Sequence, residues 1–223
     1  MICRSIDRTI AVGSVRLDSS KIIFKVFDLL DKNIDGFPQF LSNSCFDEEN
    51  EKAINQMLTT YLNNITVDYF VVDTFRFCFI KDTSIKRSQF NPDIGVMLGN
   101  KFEATTSAFF HIECKRLPAR KRFEREYVQG DLGGIQRFKE GNHGGGLKYS
   151  AMIGYVQSNT LEHWYLNVNS WIDELITSEN VLNWNADDKL TPNIEGSFHR
   201  FSSLHQRTND SEPIKLFHYW IYV

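Results

Sequence analysis

Long hydrophobic runs are missing from this sequence of 223 residues. No stretch reaches about 18 consecutive apolar residues, so no transmembrane helix is expected. Near the N-terminus, Asp7 and Arg8 interrupt the apolar segment that a signal peptide would need. Cysteines are few and scattered, with no C-x-x-C pair; they are Cys3, Cys45, Cys78 and Cys114. This spacing favours free thiols in a reducing cytoplasm over disulfides or a zinc site.

An excess of basic charge is missing as well. The formal net charge of −3 argues against a protein that holds nucleic acid by bulk electrostatic attraction alone. The charge is unevenly distributed, however, because residues 115–125 contain a single acid, Glu124, among six cations: Lys115, Arg116, Arg120, Lys121, Arg122 and Arg125. Such a cluster is either a solvated surface loop or a contact for the phosphates of a nucleic acid. A neighbouring pair of carboxylates favours the second interpretation.

Those carboxylates belong to residues 91–115, which contain two apolar runs at 94–98 and 109–112. Asp93 precedes the first run, and Glu113 and Lys115 follow the second. Because side chains alternate along a strand, Glu113 and Lys115 should share one face. If the two runs pair as neighbouring strands, Asp93 meets Glu113 and Lys115 at one end of the sheet. Two carboxylates and an amine there predict a magnesium site with a group able to position or activate water.

Chance provides the competing explanation. A chain of this length should contain about one Glu-x-Lys by composition alone. A second acid-x-Lys is present at Asp187-Asp188-Lys189, but Asn183-Trp184-Asn185-Ala186 before it and Thr191-Pro192 after it predict no strand to carry it. The carboxylates at 93 and 113 instead flank two predicted strands, which favours an active site.

The remaining pattern predicts an ordered series of elements. We expect short strands and turns over residues 2–46, a helix over 46–65, a strand over 69–80, a second helix over 124–139 and a strand over Tyr149–Val156. A helix over 161–178 and a hairpin of 198–207 with 214–223 should follow. Glu51, one turn before Ile54 on the first long helix, either complements the helix dipole or reaches towards the sheet end.

The order helix, strand, strand with Asp and strand with Glu-x-Lys resembles the PD-(D/E)xK superfamily of nucleases, also called restriction-endonuclease-like. Pro92-Asp93 matches the PD, and Glu113-Cys114-Lys115 matches the ExK. The resemblance covers about residues 46–157 and implies an α/β fold with a mixed central sheet flanked by helices, in the order αβββαβ. Residues 1–157 would then form the nuclease-like core with N-terminal strands, and residues 158–223 a C-terminal extension packed on the same domain. The phrases YVQGDLGGIQRFKEG and AMIGYV also resemble uncharacterised bacterial nuclease-like proteins, including some encoded among phage-defence genes.

Residue roles follow from this resemblance. Asp93 and Glu113 would bind Mg²⁺ or Mn²⁺ together with the backbone carbonyl of Cys114, and Glu51 would be the upstream acid of the metal site. Lys115 would orient or deprotonate the attacking water and stabilise the transition state. Gln136 and Arg137 of the second helix would reach substrate phosphate.

Two further features have more than one interpretation. The glycine-rich segment 141–146, GNHGGG, could bind phosphate through its backbone. The interpretation that we favour is a helix stop and flexible connection. The histidines of the C-terminal hairpin, His199, His205 and His218, could begin a zinc site, but without an evident third ligand we expect hydrogen-bonded structural side chains.

The sequence therefore predicts a cytoplasmic, metal-dependent hydrolase that cleaves phosphodiester bonds, with DNA as the expected substrate and no membrane association. The resemblance suggests a role in bacterial phage defence, with a homodimer or a protein encoded nearby as a partner. A nuclease-like fold that binds nucleic acid or protein without cleaving is the rival hypothesis. A purely structural α/β domain is the third, and the cations beside the carboxylates argue against it.

Overall fold

The computed structural model describes residues 9–12, 15–44, 47, 49–72, 75–81, 92–100, 104–105, 107–118, 123–130, 133–178, 182–208 and 212–223. Three of the residues predicted to contact phosphate, Arg120, Lys121 and Arg122, lie outside these ranges. The helices and strands below are those of the described residues.

A mixed β-sheet organises the fold. The strands are β1 (Thr9–Val12), β2 (Val15–Asp18), β3 (Phe70–Val72), β4 (Phe75–Lys81), β5 (Ile94–Gly99), β6 (Phe110–Leu117), β7 (Tyr149–Val156), β8 (Thr191–Pro192), β9 (Arg200–His205) and β10 (Ile214–Tyr222). β1 and β2 form an antiparallel pair, and the other eight form one sheet in the order β3-β4-β5-β6-β7-β10-β9-β8. The β6–β7 and β7–β10 pairs are parallel and the other neighbours are antiparallel.

Helices cover both faces of this sheet. They are α1 (Ser19–Asn33), α2 (Phe37–Ser42), α3 (Glu51–Ile65), α4 (Gly134–Lys139) and α5 (Leu161–Thr177). Single 3-10 turns occur at Ile34–Gly36, Glu124–Tyr127 and Ala186–Asp188. The α/β class, with a mixed sheet flanked by helices, is therefore confirmed at this level.

Alternation along β6 divides the core into two layers. Phe110, Ile112 and Cys114 are fully buried in the layer that contains α1, α2 and α3. The opposite layer contains α4 and α5, with Met152 contributed by β7 and Trp220 by β10. Glu113 and Lys115, which alternate with the apolar residues of β6, belong to this second face.

Helix α3 begins where its sequence allows capping. Asn50 has extended backbone angles, and its side-chain oxygen accepts the N–H groups of Lys52 and Ala53. Further along, the Asn63 amide donates to the Phe79 carbonyl at 2.8 Å and accepts the Phe79 N–H at 2.9 Å. These bonds fix the helix on β4, so that its N-terminal residue Glu51 reaches the end of the sheet. The predicted helix over 46–65 is confirmed from Glu51 onwards.

The C-terminal residues contribute to the central sheet. β9 and β10 pair antiparallel, as predicted for the hairpin, and β10 also pairs in parallel with β7 from Lys215↔Tyr149 to Tyr222↔Val156. Helix α5 confirms the predicted helix over 161–178, with Trp164, Val168 and Ile172 buried on one face.

The prediction for residues 2–46 was largely wrong. Two short strands are present, but they are followed by the helices α1 (Ser19–Asn33) and α2 (Phe37–Ser42). Ile22, Val26 and Leu29 are buried at the spacing of a helical face. Their β-branched and aromatic neighbours are typical of a strand, but burial of one helical face against the sheet outweighs this preference and favours the helix.

Two other boundaries differ from the predictions. The expected single strand over 69–80 is divided into β3 and β4, which pair with each other. The expected helix over 124–139 consists of the 3-10 turn Glu124–Tyr127 and the short helix α4. Gly130 lies between them with φ of 110°, a backbone angle that ends a right-handed helix.

Candidate active site

The candidate site lies where β5 begins beside β6. Pairing between these strands runs from Val96↔Phe110 to Ile94↔Ile112, and β6 continues past this point to Leu117. On the continuation, Asp93 Oδ2 accepts the N–H of Cys114 at 2.9 Å, and Glu51 Oε2 accepts the N–H of Arg116 at 3.2 Å. Two acidic side chains therefore take the place of the adjacent strand.

The carbonyl of Cys114 belongs to the same edge. In a strand, the N–H and C=O groups of one residue point to the same side. Because the Cys114 N–H points to Asp93, its carbonyl also points to this side, although the Cys114 side chain is buried in the core. The backbone of Cys114 can thus provide an oxygen close to the carboxylates.

Lys115 joins the acidic residues into one cluster. Its Nζ lies 3.0 Å from Glu113 Oε1 and 3.6 Å from Glu51 Oε1. Glu113 is 1% exposed and Lys115 is 5% exposed, so the pair is shielded from water. The structure brings together Asp93, Glu113, Lys115 and Glu51, of which only Glu51 comes from the other layer.

Burial and charge change the ionisation of this cluster. Burial, followed by repulsion from Glu113, raises the pKa of Asp93 to about 8. Burial also opposes ionisation of Glu113, but Lys115 and then His143 outweigh it and lower the pKa of Glu113 to about 2. The pKa of Lys115 rises above its ordinary value because Glu113, Glu51 and Asp93 outweigh its desolvation. At neutral pH the site therefore holds an ammonium group, an ionised Glu113 and a largely protonated Asp93.

A second group of side chains surrounds Glu113. His143 Nδ1 lies 3.1 Å from Glu113 Oε2, and Arg137 Nη1 lies 3.7 Å from Glu113 Oε1. His111, two residues before Glu113 on the same face of β6, has its pKa lowered to about 4 by burial and by the proximity of His143. Sequence analysis missed His143 and His111. The i, i+2 spacing of His111 and Glu113 was an available signal, whereas the position of His143 depends on a loop path that no periodicity encodes.

The other predicted phosphate contacts are engaged in different ways. Arg116 Nη1 donates to the Glu49 carbonyl at 2.7 Å, and Arg125 Nη1 lies 2.7 Å from Glu174 Oε2 on α5. The Gln136 amide donates to Glu140 Oε1 at 2.7 Å, and its oxygen accepts the N–H of Gly130. Among the described members of the predicted set, Arg137 is the one that approaches Glu113.

The donor set suits a hard cation. Carboxylate and carbonyl oxygens are the ligands that Mg²⁺ takes, and Mg²⁺ usually binds one or two carboxylates while keeping waters or substrate oxygens. Within the described ranges, Glu113 Oε1 and Oε2 are buried without a well-formed hydrogen bond. No group of three or more His, Cys, Asp or Glu side chains in that part of the chain could hold an ion by itself. Two carboxylates and a carbonyl therefore fit an ion whose remaining ligands come from water and substrate.

The C-terminal histidines form a separate buried network. His205 Nδ1 lies 2.5 Å from Asp188 Oδ1, and Ser203 Oγ lies 2.6 Å from His205 Nε2 and 2.7 Å from His218 Nε2. Lys139 Nζ binds both Asp188 oxygens at 2.9 Å. The Asp–His–Ser order resembles a hydrolase triad, but Ser203 is buried and bonded to two imidazoles. These contacts agree with the expected structural role of His205 and His218.

Comparisons with known proteins add no further constraint: no protein-family model, no curated protein and no solved structure matches the chain. In the part of the chain that the structure describes, no helix has the length and apolar character required to cross a membrane.

Proposed function

We propose that the protein is a metal-dependent nuclease that hydrolyses phosphodiester bonds, with DNA as its substrate. The observation that carries this proposal is the convergence of Asp93, Glu113, Lys115 and Glu51 at the part of β6 that continues past its pairing with β5. Apart from the short strand β3 between α3 and β4, the order α3, β4, β5, β6, α4, β7 corresponds to the αβββαβ order of the restriction-endonuclease-like nucleases, and we propose membership of that superfamily on this basis.

Each acidic residue has a distinct task in the proposed reaction. Asp93, Glu113 and the carbonyl of Cys114 would hold the cation, and Glu51 would bind a water of its hydration shell. When bound, Mg²⁺ or Mn²⁺ lowers the pKa of a coordinated water and offsets the charge of the scissile phosphate. Asp93 must release its proton to act as a ligand, since its pKa of about 8 leaves it largely protonated at neutral pH.

Lys115 acts as a cation in this scheme. The raised pKa of Lys115 keeps the ammonium group protonated, so the side chain orients the attacking water and stabilises the charge that develops on the phosphate. Arg137 lies on the same side of Glu113 as Lys115 and adds a second cation for a phosphate oxygen. A role in bacterial phage defence is proposed from the resemblance of the α4 and β7 segments alone.

A cleavage assay tests the proposal directly. Plasmid, linear duplex and single-stranded DNA, together with RNA, are incubated with wild type, Glu113→Gln or Lys115→Met in Mg²⁺, Mn²⁺ or EDTA. Asp187→Asn serves as the control, because Asp187 is an exposed acid in the other acid-x-Lys segment. Cleavage should require metal, disappear in both site variants and persist in the control. Cleavage retained by Glu113→Gln would refute the assignment.

One observation favours the rival function, a nuclease-like module that binds without cleaving. Lys115 already forms an ion pair with Glu113, His143 lies against the other oxygen of Glu113, and Asp93 is largely protonated at neutral pH, so the charge of Glu113 is balanced without a metal ion. Calorimetry separates the two hypotheses: a nuclease takes up Mn²⁺ with an affinity that rises from about pH 6 to pH 8 as Asp93 loses its proton. DNA retention in a gel shift with no uptake of Mn²⁺ would establish the binding module.

A further inference from the structure

The loop after α4 is packed as a defined structure. Arg207 Nη2 donates to the carbonyls of Gly144 at 2.7 Å and Leu147 at 3.0 Å, and the N–H of His143 donates to the Arg137 carbonyl at 3.1 Å. Gly144 has φ of 61°, and a Cβ added there would lie 2.9 Å from Ile214 Cδ1. The prediction that the helix stops before the segment 141–146 is confirmed, since α4 ends at Lys139, and the bonds from Arg207 hold the segment in a defined conformation. The C-terminal part of the chain fixes this loop from outside.

The loop places His143 against Glu113. His143 is 1% exposed, and its ring meets the Phe138 ring edge-on, with the centroids 5.7 Å apart. Its Nδ1 is 3.1 Å from Glu113 Oε2, while Lys115 approaches the other oxygen, Oε1. The imidazole and the ammonium group thus hold the carboxylate of Glu113 from two sides.

Hydrogen-bond chemistry defines the form of this contact. An ionised carboxylate only accepts, so the ring nitrogen facing it has to carry the proton. In the described part of the chain, neither ring nitrogen of His143 and neither oxygen of Glu113 makes a well-aligned hydrogen bond. Most buried polar groups are hydrogen-bonded, so these four atoms need an explanation, and the alignment of such bonds in active sites often improves when the ligand binds.

We infer that His143 is a positioning residue for the proposed metal site: it donates Nδ1–H to Glu113 Oε2 and thereby orients the carboxylate towards the cation. This inference rests on the proposed function, because the cation gives the orientation its purpose. His143 lies against Glu113 Oε2, so it acts through Glu113. Because Arg207 donates hydrogen bonds to this loop, the C-terminal part of the chain helps to hold His143 beside Glu113.

Calorimetric titration of the full chain with Mn²⁺ tests the inference. His143→Leu replaces the imidazole with an apolar side chain of similar volume and removes the donor. His143→Asn keeps a donor near the position of Nδ1. The exposed His163, changed to Leu, is the matched control. Removing a group that orients a metal ligand typically costs about tenfold to a hundredfold in metal affinity, and this loss is expected for His143→Leu. His143→Asn should stay within about fivefold of wild type and His163→Leu should not change.

A spectroscopic measurement distinguishes positioning from packing. In metal-free wild type, the ¹⁵N shifts of the His143 ring should show a protonated Nδ1. A proton on Nε2 with a bare Nδ1, or equal Mn²⁺ affinity in wild type and His143→Leu, would overturn the inference and leave the proposed function standing. A wild type that takes up no Mn²⁺ and cleaves no nucleic acid would refute the proposed function, and the role of His143 with it.

Discussion

Replacing Asp93 with asparagine should stabilise the metal-free protein at alkaline pH and have little effect near pH 4. The side chain of Asp93 is partly buried, and the burial and the proximity of Glu113 raise its pKa from 3.8 to about 8. Asparagine keeps an oxygen that can accept the N–H of Cys114 and removes the ionisable group. The variant therefore isolates the free-energy cost of an acid placed beside another carboxylate.

The sign follows from proton linkage. The unfolded chain releases this proton near pH 3.8, whereas the folded protein retains it until about pH 8. Between these values the folded state binds the additional proton, so this group's contribution to stability is complete below pH 3.8 and is lost as pH rises to about 8. One pKa unit corresponds to about 1.4 kcal/mol, which sets an upper bound of about 6 kcal/mol on this contribution. Water penetration and relaxation of the structure reduce the free-energy cost of a buried charge, so we expect Asp93→Asn to be about 2 kcal/mol more stable than wild type at alkaline pH.

Urea unfolding followed by tryptophan fluorescence measures the effect, with EDTA present, from about pH 4 to pH 9. The stability of Asp93→Asn relative to wild type should be close to zero at the acid end, increase through the neutral range and become constant above about pH 8. A difference that does not depend on pH, or a wild type more stable than the variant at about pH 8.5, would refute the reasoning. Added Mn²⁺ should stabilise wild type alone.

Two further predictions concern buried contacts outside the candidate site. Lys139→Met should destabilise the fold by about 3 kcal/mol in urea unfolding, because Asp188 stays buried without its cation. The double variant Lys139→Met with Asp188→Asn should recover part of this loss. A loss below about 1 kcal/mol for Lys139→Met alone would contradict this account. Gly154→Ala should cost about 2 kcal/mol, since its Cβ would lie 2.4 Å from Trp220 Cδ1. Gly145→Ala, whose Cβ meets no atom closer than 3.6 Å, is the control, and equal melting temperatures for these two variants would refute the packing argument.

The buried charges of the candidate site act against stability. Glu113 and Lys115 are almost inaccessible to water, and Asp93 retains a proton that it would lose in the unfolded chain near neutral pH. A well-packed apolar cluster of equal volume would often be at least as stable. A cluster of buried ionisable groups with shifted pKa values is typical of a functional site. The D93N experiment therefore also tests whether this cluster serves function at the expense of stability.

The residue pattern along the chain was sufficient to predict part of the candidate site. Alternation along a strand placed Glu113 and Lys115 on one face and Cys114 on the other, and the order of the apolar runs made β5 and β6 neighbours with Asp93 at their shared end. These features could be predicted because strand periodicity and short connections act between residues close in sequence. The same logic failed for α1, where strand-like composition outweighed a helical spacing of buried residues.

The tertiary structure decided the rest of the site. Glu51 accepts the N–H of a residue 65 positions later in the chain, and this contact depends on how α3 docks on β4 through Asn63. His143 reaches Glu113 because Arg207, from the C-terminal part, fixes the loop that carries it. Helix docking and loop paths are set by packing between distant segments, which leaves no periodic signal in the sequence. The sequence by itself thus determined the identity of the carboxylates and lysine, and only the three-dimensional packing determined which side chains hold them in place.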